Sequence, residues 1–268
     1  MKILRIAYLS SLHVALATGV CAAAFFELTG GAAVTAGVGN AFSLHGRASL
    51  HAHWVSLLQI VLVCWLIYIL DRILDVIRGN TATERHRFHF ENQYNLQILA
   101  IALAAVNLFL LFFQSRGVIL YGAVTGTLVL LYLAWIVPRY PKAKDYIMPL
   151  IYLAAVVGVP FVSASSITLS AWLIAFMFAL LVFQNLTAFA YFEQGKTRKR
   201  KTVTYLGGLN LFLFIVFFSG GTEFVNRLAL LFTGISLAYS LIINNERRFS
   251  VHYRWVMDSL LFLPLLIL

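Results

Sequence analysis

The chain has 268 residues, 61% of them hydrophobic and only 11% charged, with a formal net charge of +10 and a mean hydropathy of +0.87. Soluble domains are far richer in charge, so a polytopic membrane protein is expected and an ordinary soluble enzyme is excluded. The positive charge then belongs to membrane-flanking loops, not to a nucleic-acid surface.

A bilayer core of about 30 Å needs roughly 20 apolar residues per helix. On that basis the sequence predicts a single transmembrane domain over 1–268. Its nine spans lie near 6–28, 52–77, 95–114, 117–137, 146–163, 168–192, 204–219, 226–243 and 251–268. Lys2 and Arg5 precede the first span as in a signal peptide, but the apolar stretch outruns a signal core, so a retained span is expected. Cys21 and Cys64 fall in apolar runs and read as small buried hydrophobes. Threading nine spans from an inside N-terminus leaves Arg47, Arg116 and Arg227 outside and the other Lys and Arg residues inside. This is the positive-inside pattern, and it puts the C-terminus outside.

The second span ends in "WLIYILDRILDVIRGN". Tyr68, Asp71, Asp75 and Arg78 fall on one helical stripe. Two aspartates one turn apart repel, and the helix C-terminus disfavours negative charge. Compensation by Arg72 and Arg78 at the interface is one reading. The other is a hard cation: Mg²⁺ commonly takes one or two protein carboxylates and completes its shell with water and phosphate. About 17 apolar residues, Trp54 to Leu70, precede Asp71, roughly 25 Å of helix rise, so Asp71 need not be deep in the membrane.

The sixth span ends in "QNLTAFAYFEQGKTRKRKT". With the first motif it resembles the UbiA-type intramembrane prenyltransferase superfamily. Members carry two N-D-x-x-D-x-x-x-D motifs that face a cavity open to the cytoplasmic side. The resemblance covers the whole chain by span count and loop placement. Asp71 and Asp75 match the last two aspartates of the first motif, while Ile67 and Tyr68 stand at its Asn and first Asp. In the second motif Asn185 keeps the asparagine, Glu193 replaces the last aspartate, and Leu186 and Phe189 occupy the other acidic places. The loops "RGNTATERHRFH" and Lys196 to Lys201 stand where members carry basic loops.

The resemblance implies an all-α, UbiA-like bundle in a bacterial inner membrane. It implies transfer of an isoprenyl group from an isoprenyl diphosphate to a lipophilic acceptor, aromatic acceptors included, among membrane lipid. Asp71, Asp75 and Glu193 would hold Mg²⁺, with Asn185 as a fourth catalytic residue. Tyr68, Arg72, Lys142, Lys144, Lys196 and Arg198 would contact substrate. Three acids and an asparagine make a thin set for two cations. A non-catalytic relative that binds a lipid or partner therefore stays open, as does a transporter, although no inverted repeat or broken helix marks one.

Other polar residues have structural readings. Asp258 has Arg254 four residues before it, which suits an ion pair along the last span. Asp145 suits the first turn of the fifth span. Tyr152 and Tyr191 suit packing or a cavity wall. His86 and His89, with Glu84 and Glu91 nearby, lack a zinc-like spacing, and His51 and His53 give no better one.

Overall fold

The computed structural model describes residues 9–34, 45–77, 79, 84–140, 143–194, 197–217, 222–249 and 253–268, without the side chains of 31–34, 45–52, 84–86, 144–145, 193–194 and 197–198. Among these residues the chain is helical, with no strand. The helices are α1 (Leu12–Val34), α2 (His45–Ile77), α3 (Glu84–Glu91), α4 (Gln93–Leu110), α5 (Arg116–Leu131), α6 (Lys144–Leu153), α7 (Leu169–Gln194), α8 (Thr197–Phe217), α9 (Glu223–Asn244), α10 (Glu246–Phe249) and α11 (Tyr253–Leu260). Six stretches are long and apolar enough to cross a membrane: Leu12–Gly30, Gln93–Phe113, Arg116–Arg139, Tyr146–Ser163, Leu169–Phe192 and Glu223–Asn244. By that measure the protein is a helical membrane protein.

These six correspond to predicted spans one, three, four, five, six and eight. The other three take different forms. Predicted span two lies within α2, a 33-residue helix whose uncharged run ends at Asp71. Residues 204–217 of predicted span seven lie in α8, which begins at Thr197 and so carries the basic run Arg198 to Lys201 on its first turn. The last predicted span is not one helix. It stops at Leu260 after eight residues and resumes as a short 3₁₀ segment, Leu263–Leu266. Pro264 has no N–H to give to Leu260, and its ring disfavours a helical Leu263.

The centre of the bundle is a large apolar cluster drawn from α1, α2, the second half of the fifth predicted span, α7, α8, α9 and α11. Phe25, Phe178 and Phe232 meet there, with ring centroids 5.3 to 6.4 Å apart. The span of α1 is 67% buried, that of α5 only 22%. The first helix is thus a core element, whereas α5 faces what surrounds the bundle. Small residues explain the central place of α1: Gly19 abuts the Val61 side chain of α2 so closely that a Cβ would strike it.

Two π turns share one sequence signal. α5 runs into Tyr132–Ile136 and then Val137–Arg139, and α6 runs into Ala154–Gly158 and then Val159–Ser163. Each π turn is followed directly by Val-Pro, at Pro138 and at Pro160. A proline inside a helix lacks its N–H and clashes with the carbonyl four residues back. Widening the preceding turn relieves the clash and lets the helix continue. In the second case Tyr121 of α5 donates to the Ala154 carbonyl at 2.8 Å, which ties α5 to the widened turn.

Candidate functional site

A cavity opens between α2, α6, α7 and the C-terminal segment. It is small, with about 60 Å³ of internal space, and opens at a mouth. Each helix contributes one face at helical spacing. α2 gives Cys64, Ile67 and Tyr68. The fifth predicted span gives Met148, Ile151, Tyr152 and Ala155. α7 gives Val182, Asn185, Leu186 and Phe189. Val14 of α1, with Asp258 and Leu261, completes the wall.

The positions aligned between α2 and the first resembled motif (Ile67, Tyr68) and between α7 and the second (Asn185, Leu186, Phe189) therefore meet on one cavity. Three of these five side chains are apolar. Asn185 is 8% exposed, and its Oδ1 is buried with no hydrogen-bond partner among the described residues.

The predicted site residues divide three ways. Tyr68 and Asn185 line the cavity, whereas Asp71, Arg72 and Asp75 are not part of its described wall. Asp71 continues the α2 stripe one turn beyond Tyr68 and is buried, 1% exposed. Arg72 Nη1 donates to Asp75 Oδ2 at 3.4 Å, so of the two arginines expected to compensate the aspartates, Arg72 does pair with Asp75. Glu193, Lys144 and Arg198 lie on described helices, but their side chains are outside the described set. Lys142 and Lys196 fall outside the described residues altogether.

No group of three or more His, Cys, Asp or Glu side chains comes together among the described residues. Asp75 pairs with the Arg72 guanidinium, and apolar side chains stand at Ile67, Leu186 and Phe189.

Asp258 departs from its predicted partner. His13 of α1 meets its Oδ2 through Nε2 at 2.9 Å, a contact spanning 245 residues of sequence. The His13 ring also stacks on Trp255, centroids 5.9 Å apart. Arg254 instead lies over the Phe189 ring at 5.1 Å and the Tyr253 ring at 5.8 Å, a cation–π arrangement. The part played by His13 was missed by sequence reading. The available signal was a lone histidine in the first apolar run. Tyr152 is a cavity wall residue, with its hydroxyl 3.0 Å from that of Thr18, while Tyr191 donates to Glu246 at 2.5 Å. Asp145 falls in the first turn of α6 as expected. Cys21 and Cys64 are free and buried.

A second polar feature lies on the opposite side of α7. Gln184, next to Asn185 but rotated about 100° around the helix, points toward α8 and α9. Its Nε2 donates to the carbonyls of Val203 at 2.9 Å and Ser236 at 2.8 Å. Ser236 donates back to Gln184 Oε1, and Asn210 donates to Ser236 Oγ at 3.0 Å. Gly207 of α8 leaves room for this network, since a Cβ there would strike Ser240 Oγ. Such buried bonds hold apolar helices together where no hydrophobic drive separates them from lipid.

No protein-family model matches the chain, and neither a curated protein nor a solved structure gives a match.

Proposed function

We infer that the protein binds a lipophilic, isoprenoid-like molecule inside the membrane, in the cavity between α2, α6 and α7. The observation that carries this reading is the wall itself. Two helical faces whose residues align with diphosphate-binding motifs meet there, yet they present Ile67, Leu186 and Phe189 where acids would hold metal. Apolar side chains at those places favour a hydrocarbon chain over a metal-bound diphosphate. The distribution of Lys and Arg supports an N-terminus on the cytoplasmic side and a C-terminus outside.

A second reading, Mg²⁺-dependent prenyl transfer to a lipophilic acceptor, is favoured by one observation: buried Asp71 lies on the cavity-facing stripe of α2, four residues before Asp75. Under this reading Asp71 and Asp75, with Asn185 and Glu193, would serve an isoprenyl diphosphate aided by Tyr68, Arg72, Lys142, Lys144, Lys196 and Arg198.

One binding experiment separates the two. Radiolabelled farnesyl diphosphate and an uncharged farnesyl compound are bound to purified protein with and without Mg²⁺, beside Asp71→Asn/Asp75→Asn. The first reading expects the uncharged ligand to bind without Mg²⁺, equally in both proteins. Mg²⁺-dependent diphosphate binding that the variant loses would overturn it in favour of prenyl transfer.

A further inference from the structure

The cavity wall specifies the polar end of its ligand as well as the apolar body. Among the described lining residues the one carboxylate, Asp258, is already matched by His13 at 2.9 Å. No Lys or Arg is among the described lining residues; the side chains of Lys144 and Arg198 lie outside the described set. Arg254, four residues before Asp258, lies over the rings of Phe189 and Tyr253. Against the described wall, a multiply charged head group would shed water with no cation to replace it, and would face Asp258.

Asn185 makes the complementary demand. Its residue is 8% exposed, it lines the cavity, and its side-chain oxygen has no partner among the described residues. A buried polar atom left without a partner is costly, and such atoms in native proteins are normally satisfied. Gln184, one residue earlier and fully buried, is engaged with α8 and α9. The orphan is therefore specific to the cavity face of α7. An amide offers both an acceptor and donors, and a hydroxyl is the small uncharged group that satisfies either.

We propose that the cavity takes an uncharged lipophile carrying a hydroxyl group, and that Asn185 hydrogen-bonds that hydroxyl. This rests on the reading that the cavity binds a lipophilic molecule. Two sources share the chemistry: a long-chain isoprenoid alcohol and an alkylphenol.

The test uses the full chain in nanodiscs and four uncharged probes, namely farnesol, farnesyl methyl ether, 4-dodecylphenol and its methyl ether, with farnesyl diphosphate as a fifth. Binding is measured for the wild type and for Asn185→Leu. The expected result is that at least one hydroxyl probe binds about tenfold or more tightly than its ether. Asn185→Leu removes that ratio, so that alcohol and ether bind alike. The series with the larger ratio identifies the source. Equal binding of alcohol and ether to the wild type overturns the proposal even if the variant fails to fold, because that comparison needs no mutation. A ratio that survives in Asn185→Leu overturns it too, as does tighter binding of the diphosphate. Binding of alcohol and ether alike sinks the hydroxyl assignment but leaves a lipophile site standing, whereas no binding by any probe sinks both.

Discussion

Gly158 is where a single methyl group tests the packing of the cavity's supporting wall. It ends the π turn of the fifth predicted span, the helix that gives Ile151, Tyr152 and Ala155 to the cavity. A Cβ on Gly158 would lie 2.7 Å from Tyr121 Cε1 and closer still to Cζ and the hydroxyl. These are ring atoms, so the whole Tyr121 side chain must move, and its bond to the Ala154 carbonyl is lost. Overpacking of this kind costs about 1–3 kcal/mol, and the lost hydrogen bond adds about 0.5–1.5 kcal/mol. The helix-propensity gain of Ala over Gly returns about 1 kcal/mol. Gly158→Ala is therefore expected to destabilise the protein by about 1–3 kcal/mol. Tyr121→Ala removes the obstructing ring, and in that background Gly158→Ala should become neutral or slightly stabilising. Thermal unfolding in detergent, followed with a thiol-reactive dye, reads this directly because Cys21 and Cys64 are free and buried. If Gly158→Ala costs the same in both backgrounds, or nothing in the wild type, the account of the widened turn is wrong.

The remaining predictions concern other contacts between distant helices. His13→Leu and Asp258→Leu each break the tie between the first and last helices, and a double-mutant cycle on unfolding should give a coupling of about 1–3 kcal/mol; additive losses would show the pair to be incidental. Gln184→Leu leaves Ser236 and Asn210 without their buried partner, so a loss of about 1–3 kcal/mol is expected in the same assay, and an unchanged midpoint would refute a holding role. Gly19→Ala puts a methyl group against Val61 and should cost about 1–3 kcal/mol, with Val61→Ala restoring most of it.

Much of the architecture was legible because a membrane leaves a blunt signature. Lipid offers no hydrogen bonds to the backbone, so each span must be a continuous apolar helix. The bounds read for spans five and six, 146–163 and 168–192, differ by at most a residue from Tyr146–Ser163 and Leu169–Phe192. The last predicted span is not one helix because Pro264 interrupts it, and hydropathy averages that proline into an apolar run. The two π turns were legible in principle, since both stand just before a Val-Pro pair, but a periodicity of 3.6 does not reveal a local widening.

The site divides along the same line. Sequence alone determined that the chain is a helical membrane protein and that Asp71, Asp75 and Asn185 sit at the ends or on the faces of particular helices, because helix formation and side-chain spacing are local. Only the tertiary structure decided what those faces meet. It joined Tyr68 and Asn185 across one cavity, separated Gln184 from its neighbour Asn185, and gave Asp258 to His13 rather than to Arg254. Partners 245 residues apart are chosen by how helices pack, and helical periodicity within a span carries no information about which helix lies opposite.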